Sequence, residues 1–257
     1  PPTLYYAPER SDAMPTRLGV CGAGAFADSF IPLFKAHPGV EQIMLADTDA
    51  RKLAEKAARF EIEQTAASLD ALCERDLDAI AIFTQNWMHA PQAVQALRSG
   101  KHVYSAVPAG VTIEQLRELV AAVHSSGRIY MLGETSYYYP SSIYCRRRLA
   151  ADEFGHVVYC EGDYFHDFDH GLYEVYRWRG GDDWKAYAGD PPMYYPTHSV
   201  GHVLGVIGGR MTHVSCQGWV RSSRRRSVPQ GRQPARQHVQ QPVGPVPRRR
   251  WPDGSHQ

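Results

Sequence analysis

His198-Ser199-Val200-Gly201-His202 sets two imidazoles four residues apart, a spacing that puts both on one face of a helix. A neutral imidazole, with an ordinary pKa of about 6.5, can take a proton from a hydroxyl as the carbon bearing it is oxidised. Tyr195, three residues before His198, can bind a sugar ring or relay that proton. The same residues also suit a helix start with two hydrogen-bonded structural histidines. A second run, His166-Asp167-Phe168-Asp169-His170, carries metal-ligand types, but the sequence fixes no third ligand and no metal site is expected.

Oxidation needs a hydride acceptor, and the other chemically pointed segment supplies a place for one. Arg17-Leu18-Gly19-Val20-Cys21 is an apolar run that breaks into Gly22-x-Gly24-x-x-Ala27, with Ala25 and Phe26 at the variable positions, and then continues with helical spacing. In a strand-turn-helix of this kind the first glycine permits the tight turn, the second lets backbone approach a pyrophosphate, and a small third residue lets helix and sheet pack closely. Gln42 to Ala46 reads as the next strand and ends at Asp47, where a carboxylate can meet the ribose hydroxyls and favours NAD over NADP. An Asp here can instead cap the helix that begins near Asp49.

These residues need elements to hold them. Arg17 to Cys21, Gln42 to Ala46, Asp78 to Thr84, His102 to Ser105 and Ile129 to Leu132 read as short, apolar, buried strands. Ala25 to Lys35, Asp49 to Phe60, Leu69 to Glu74, Ala90 to Ser99 and Ile113 to Ser125 carry helical spacing between them. The alternation specifies an α/β doubly wound parallel sheet, the Rossmann arrangement. A helix from Ser141 to Ala151 leads into Gly155 to Tyr164, whose period-2 alternation predicts a strand of a second, open sheet, and Met211 to Val220 predicts another. The expected organisation is an N-terminal extension over 1–15, a dinucleotide-binding domain over 16–135, an incomplete α+β domain over 136–220 with an open, mostly antiparallel sheet, and a tail over 221–257.

At 257 residues and 43% apolar content the chain can bury a real core. With no membrane-length apolar stretch and no basic-then-apolar leader, a cytoplasmic protein without membrane contact is expected. Five scattered cysteines without a Cys-x-x-Cys read as reduced and structural. Met14 is a candidate start.

The tail is a different kind of sequence. From Arg221 onward there are nine arginines, no lysine and one acid, a charge of +8 within a chain whose net charge is +1. A basic arm for nucleic acid and a disordered tail are two readings of it. A third is preferred: reread one base downstream in GC-rich codons, Pro229 to Arg248 can spell a run of ordinary globular character, so the tail is expected to be a frameshifted translation with no nucleic-acid partner.

Asp78-Ala79-Ile80-Ala81-Ile82-Phe83-Thr84-Gln85-Asn86-Trp87-Met88-His89, followed by Gly100-Lys101-His102-Val103-Tyr104-Ser105-Ala106-Val107-Pro108, resembles the Gfo/Idh/MocA family from about Arg17 to Trp219. The resemblance implies a Rossmann domain followed by an open-sheet α/β domain, bound NAD, and homo-oligomers among full-length relatives. It implies that Thr84, Asn86 and His89 line the cofactor site, beside the residue-level alternatives of a helix cap for Asn86 and a surface histidine for His89. His202 matches the family histidine and His198 stands where an acid is usual. Glu134 and Tyr137 fall where relatives present substrate-contacting groups, although an exposed strand-end acid is an equal reading of Glu134. Where dehydrogenases of the family carry Glu-Lys-Pro, this chain has Ala106-Val107-Pro108; Lys185 is the candidate substitute, or a solvated lysine. The Val-Pro form with Tyr194-Tyr195-Pro196-Thr197-His198 is similar to the branch of NAD-dependent glycosidases acting on N-acetylgalactosaminides, although that branch has Glu-Val-Pro. The expected function is NAD-dependent hydride transfer on a sugar or related hydroxy compound; the alternatives are redox-neutral glycoside hydrolysis and an inactive NAD-binding fragment.

Overall fold

The structure, a computed structural model, describes residues 15–165, 174 and 196–217. Contacts divide the chain into two units, residues 1–133 and 134–257.

The first unit runs β1 (Thr16–Cys21), α1 (Ala27–Ala36), β2 (Val40–Ala46), α2 (Ala50–Arg59), β3 (Gln64–Ala66), α3 (Leu69–Cys73), β4 (Ala79–Ile82), α4 (His89–Arg98), β5 (His102–Ser105), α5 (Ile113–Ser126) and β6 (Tyr130–Leu132). All five pairings are parallel and the strand order is β3-β2-β1-β4-β5-β6, the doubly wound arrangement expected. The order in which strands are laid down reverses between β1 and β4, which opens a crevice at their carboxyl ends.

Strand alternation explains why the β segments read as unbroken apolar runs. Ile80 and Ile82 enter one core with Leu72, Leu97 and Leu119, while Ala81 and Phe83 enter the opposite core with Val20, Ala27, Ile31 and Leu45. Both faces are covered by helices, so neither set of side chains can be polar. β3 lacks that signature because Gln64 and Thr65 are exposed; backbone pairing of residues 64–66 to residues 44–46 makes this edge strand. Helix starts follow their caps: Asp49 accepts from the N–H groups of Arg51 and Lys52 at α2, and Thr112 accepts from Gln115 N–H at α5.

In the second unit the described residues form a 3₁₀ turn (Thr135–Tyr138), α6 (Pro140–Ala150) and α7 (Thr197–Ile207). The strands expected at Gly155 to Tyr164 and from Met211 do not form ladders: residues 155–164 and 211–217 carry no strand structure. Alternation marks a chain able to bury one side, but a strand exists only where a neighbour accepts and donates its backbone hydrogen bonds, and none of the described residues does so here.

One ion pair fastens the sheet at the end remote from the crevice. Asp78 accepts from the Arg17 backbone N–H at 2.8 Å and from its guanidinium at 3.1 and 2.8 Å, joining the starts of β1 and β4. These hydrogen bonds from Arg17 hold the Asp78 carboxyl down to about 2. A carboxyl depressed on folding stabilises fully above its ordinary value of about 3.9 and loses that contribution as pH falls through the folded value. Asp78→Asn is therefore expected to melt below wild type at pH 6, with the gap closing as pH is lowered from about 4 towards about 2. A gap that stays constant with pH contradicts this assignment.

Candidate functional site

The crevice is built on the turn between β1 and α1. Gly22 has φ +104°, and a Cβ there would lie 2.7 Å from the Phe83 carbonyl oxygen, so only glycine lets the chain turn against the end of β4. Asp47 holds the next stretch of the turn: one carboxylate oxygen accepts from Ala23 N–H at 2.7 Å and the other from Asp49 N–H at 2.8 Å. Asp47 thus braces the glycine turn against the end of β2, while capping of α2 falls to Asp49. Each carboxylate oxygen keeps a further lone pair able to accept from a ribose hydroxyl.

Among the described residues the N–H groups of Gly24, Ala25 and Phe26 have no hydrogen-bond acceptor. Those of Ala27, Asp28 and Ser29 turn back onto the carbonyls of Gly24, Ala25 and Phe26. α1 has no side-chain cap, and a Cβ at Gly24 would meet nothing within 4 Å. Among the described residues three donors at the positive end of a helix are thus left unengaged beside the open side of Gly24, an arrangement that suits a pyrophosphate. Asp28 in the first turn would oppose such an anion, but its charge is engaged by Lys56 and Arg59. Ala27 is fully buried, which permits the close helix–sheet approach expected of it, and the Phe26 ring packs on Phe30 and Phe83. These residues fit NAD.

The loops after β4 and β5 border the other half of the crevice. The Thr84 hydroxyl is hydrogen-bonded to Gln92, and Asn86 Oδ1 accepts from the adjacent Trp87 N–H at 2.9 Å; Asn86 opens a 3₁₀ turn that has no side-chain cap, so the helix-cap alternative for it does not hold. His89 is 2% exposed, with Nδ1 2.8 Å from the Pro108 carbonyl oxygen and Nε2 3.0 Å from that of Thr84. It is thus a buried strut and not a surface histidine. Ala106 and Val107 are buried, so the position of the missing lysine is filled by an apolar side chain.

In the second unit the two histidines do lie on one helix, α7, and both are tied to the segment from Glu134 to Ser142. Glu134 Oε1 stands 2.7 Å from His198 Nδ1 and accepts from Ser136 N–H at 2.8 Å. The acceptor places the proton on Nδ1 and leaves Nε2 as the basic nitrogen. Burial raises the Glu134 carboxyl, but hydrogen bonds from His198 and Ser136 outweigh it and hold the group below the ordinary carboxylate value. Glu134 is 7% exposed, and its Oε2 has no partner among the described residues. His202 Nδ1 contacts the Ser142 hydroxyl at 3.4 Å, and Ser142 donates to the Ser136 carbonyl at 2.8 Å. Gly201 makes the approach possible, since a Cβ there would lie 2.5 Å from Glu134 Cγ. Tyr137 packs beneath Arg146, whose guanidinium lies 3.9 Å from the ring centre.

Tyr195, Lys185 and the segment His166 to His170 lie outside the described residues. Among the described residues no cluster of three His, Cys, Asp or Glu can hold a metal, and no helix is long and apolar enough to cross a membrane. Sequence reasoning missed Ser136 and Ser142 and the pairing of Glu134 with His198; the small residue at Gly201 was the available signal.

Residues 16–134 match the model of an oxidoreductase family with an NAD-binding Rossmann fold, GFO_IDH_MocA. The N-terminal unit belongs to the Gfo/Idh/MocA family. Its cofactor is NAD. The chain is 31% identical over 216 residues to a glycosyl hydrolase family 109 protein of Saccharopolyspora erythraea, covering 77% of this chain and 46% of that protein. It is 30% identical over 138 residues to the 4-carboxy-2-hydroxymuconate-6-semialdehyde dehydrogenase of Sphingobium sp., covering 53% of this chain and 44% of that one. It therefore spans less than half the length of these relatives. Among solved structures, scyllo-inositol dehydrogenase of Lactobacillus casei with bound NAD(H) and scyllo-inositol shares the fold, with a TM-score of 0.67 at 17% identity over 80% of this chain and 60% of that chain.

The two glycines give a paired prediction. Gly24→Ala is expected to melt like wild type but to bind NAD at least about tenfold more weakly, the equivalent of one charge-assisted hydrogen bond. Gly22→Ala is expected to lower the melting temperature even without NAD. Titration calorimetry and thermal melts distinguish them; equal behaviour of the two variants contradicts the division of labour.

Proposed function

We propose that this chain carries the NAD site and part of the substrate machinery of an oxidoreductase acting on a sugar or related polyhydroxy compound, with His198 as the base. The 2.7 Å contact between Glu134 Oε1 and His198 Nδ1 carries this reading. A base must present a lone pair in a fixed direction, and an anionic orienting group both selects the tautomer and stabilises the imidazolium formed when the proton arrives. Bound NAD supplies the hydride acceptor. His198 Nε2 takes the proton from the hydroxyl whose carbon is oxidised, and Glu134 balances the charge that develops on the ring. The remaining oxygen of Glu134, buried and without a donor among the described residues, suits a second hydroxyl of the same substrate. His202, held through Ser142, and Tyr195 are assigned to orientation of the substrate, as are Tyr137 and Lys185.

Val107 favours a second reading. An apolar side chain cannot polarise the reacting oxygen as a lysine would, and several relatives are named as glycosyl hydrolase family 109 proteins. There bound NAD would supply a reversible hydride acceptor, so a glycoside would be cleaved with no net NADH.

Absorbance of NADH during incubation with free sugars and with aryl-glycosides separates the two. Net NADH from a free sugar supports dehydrogenation; NAD-dependent release of the aglycone without NADH supports hydrolysis. With either substrate, His198→Asn is expected to lower kcat by about 10²- to 10⁴-fold and Glu134→Gln by at least about tenfold. Unchanged kcat in both variants rejects the dyad as the base, and NAD binding without turnover of any substrate supports an inactive fragment.

A further inference from the structure

We propose that His89 is a positioning residue for the nicotinamide half of the cofactor, acting as a clamp between the loop that leaves β4 and the loop that leaves β5. The proposal rests on the NAD reading of the crevice and concerns residues of the first unit alone.

His89 begins α4, and its ring is 2% exposed between two backbone carbonyls, Thr84 at the end of β4 and Pro108 after β5. Carbonyl oxygens only accept, so whichever ring nitrogen carries the proton donates, Nδ1 to Pro108 or Nε2 to Thr84, and each nitrogen lies within hydrogen-bond distance of its carbonyl. Gln115 joins the same two loops a second time, with Oε1 accepting from Val111 N–H at 2.8 Å and Nε2 donating to the Trp87 carbonyl at 3.3 Å. The packing there is tight, since a Cβ on Gly110 would lie 3.2 Å from the Cβ of Ala90 in α4. The two loops are thus one assembled rim.

That rim belongs to one half of the fold. A doubly wound sheet has two mononucleotide-binding halves, and here β1-β2-β3 carries the glycine turn and Asp47 while β4-β5-β6 carries the rim. On the NAD reading, Asp47 and the N–H groups that have no acceptor among the described residues serve the adenosine and pyrophosphate part. The rim is left to serve the nicotinamide part, and His89 sets its shape without touching the cofactor.

The test separates the two halves of the ligand and includes a measurement that needs no ligand. Asn places its amide nitrogen near that of Nδ1 and Gln near that of Nε2, so His89→Asn retains the arm to Pro108, His89→Gln the arm to Thr84, and His89→Leu neither. In hydrogen–deuterium exchange of the protein without NAD, the amides of Met88, Ala106 and Val111 are expected to exchange at least about fivefold faster in His89→Leu and less so in Asn and Gln, while amides of β1 and β2 keep their rates. In calorimetry, NAD affinity is expected to fall in the order wild type, Asn and Gln, Leu, with the affinity for ADP-ribose, which lacks the nicotinamide, unchanged. Equal losses for NAD and ADP-ribose, uniform acceleration across the sheet, or wild-type exchange at these three amides in all variants each overturns the clamp. If Leu does not fold, the Asn and Gln variants decide the same questions. Wild-type protein that binds neither NAD nor ADP-ribose rejects the NAD reading of this chain, and the exchange measurement then decides the clamp by itself.

Discussion

The hydrogen bond from Ala23 N–H to Asp47 sets the conditions for everything at the crevice. A glycine-rich turn has many conformations, and a turn that samples them presents no site. By holding Ala23 against the end of β2, the Asp47 carboxylate fixes the path of the chain through Gly24, Ala25 and Phe26, and the N–H groups of those residues are left aimed where no acceptor stands among the described residues. The sheet supplies the reference frame: β1 and β2 are paired from Arg17 to Cys21 with Gln42 to Ala46, so the two ends of this brace cannot drift. An acid expected from sequence to meet a ribose is therefore, in the structure, the brace that orders the glycine turn, and the proposed phosphate site would be preformed by it.

The second unit shows the same logic with different chemistry. Glu134 is too buried to carry a charge without compensation, and its compensation is His198 together with Ser136 N–H. The pair orients an imidazole that would otherwise rotate, and Gly201 allows α7 close enough for it to form. Removing either partner takes from the other its charge-complementary contact in a low-dielectric site, so the pair is a structural unit as well as the proposed chemical one.

What can be read from the sequence divides along physical lines. β1, β2, β4 and β5 are legible because strands buried on both faces must be apolar throughout, and the glycine turn because few residue types can make it. β3 is not, since Gln64 and Thr65 are held by backbone bonds that leave no trace in side-chain type. His89 suits a cofactor contact or the surface by residue type; only the structure shows its two nitrogens on two carbonyls. Glu134 and His198 each stand out in the sequence, yet their contact spans 64 positions, and nothing local encodes it. The strands expected around Val158 and Val214 have the right alternation and, among the described residues, no neighbour to pair with.

The proposed cofactor site turns on Asp47 holding the N–H groups of Gly24, Ala25 and Phe26 ready to receive a pyrophosphate. The most direct test is a titration of nitrogen-15-labelled protein with NAD, followed through the backbone amide resonances. The Gly24, Ala25 and Phe26 amides are expected to show the largest shifts, and the same three to respond to ADP-ribose. Saturable NAD binding that leaves these three resonances in place would contradict the cradle.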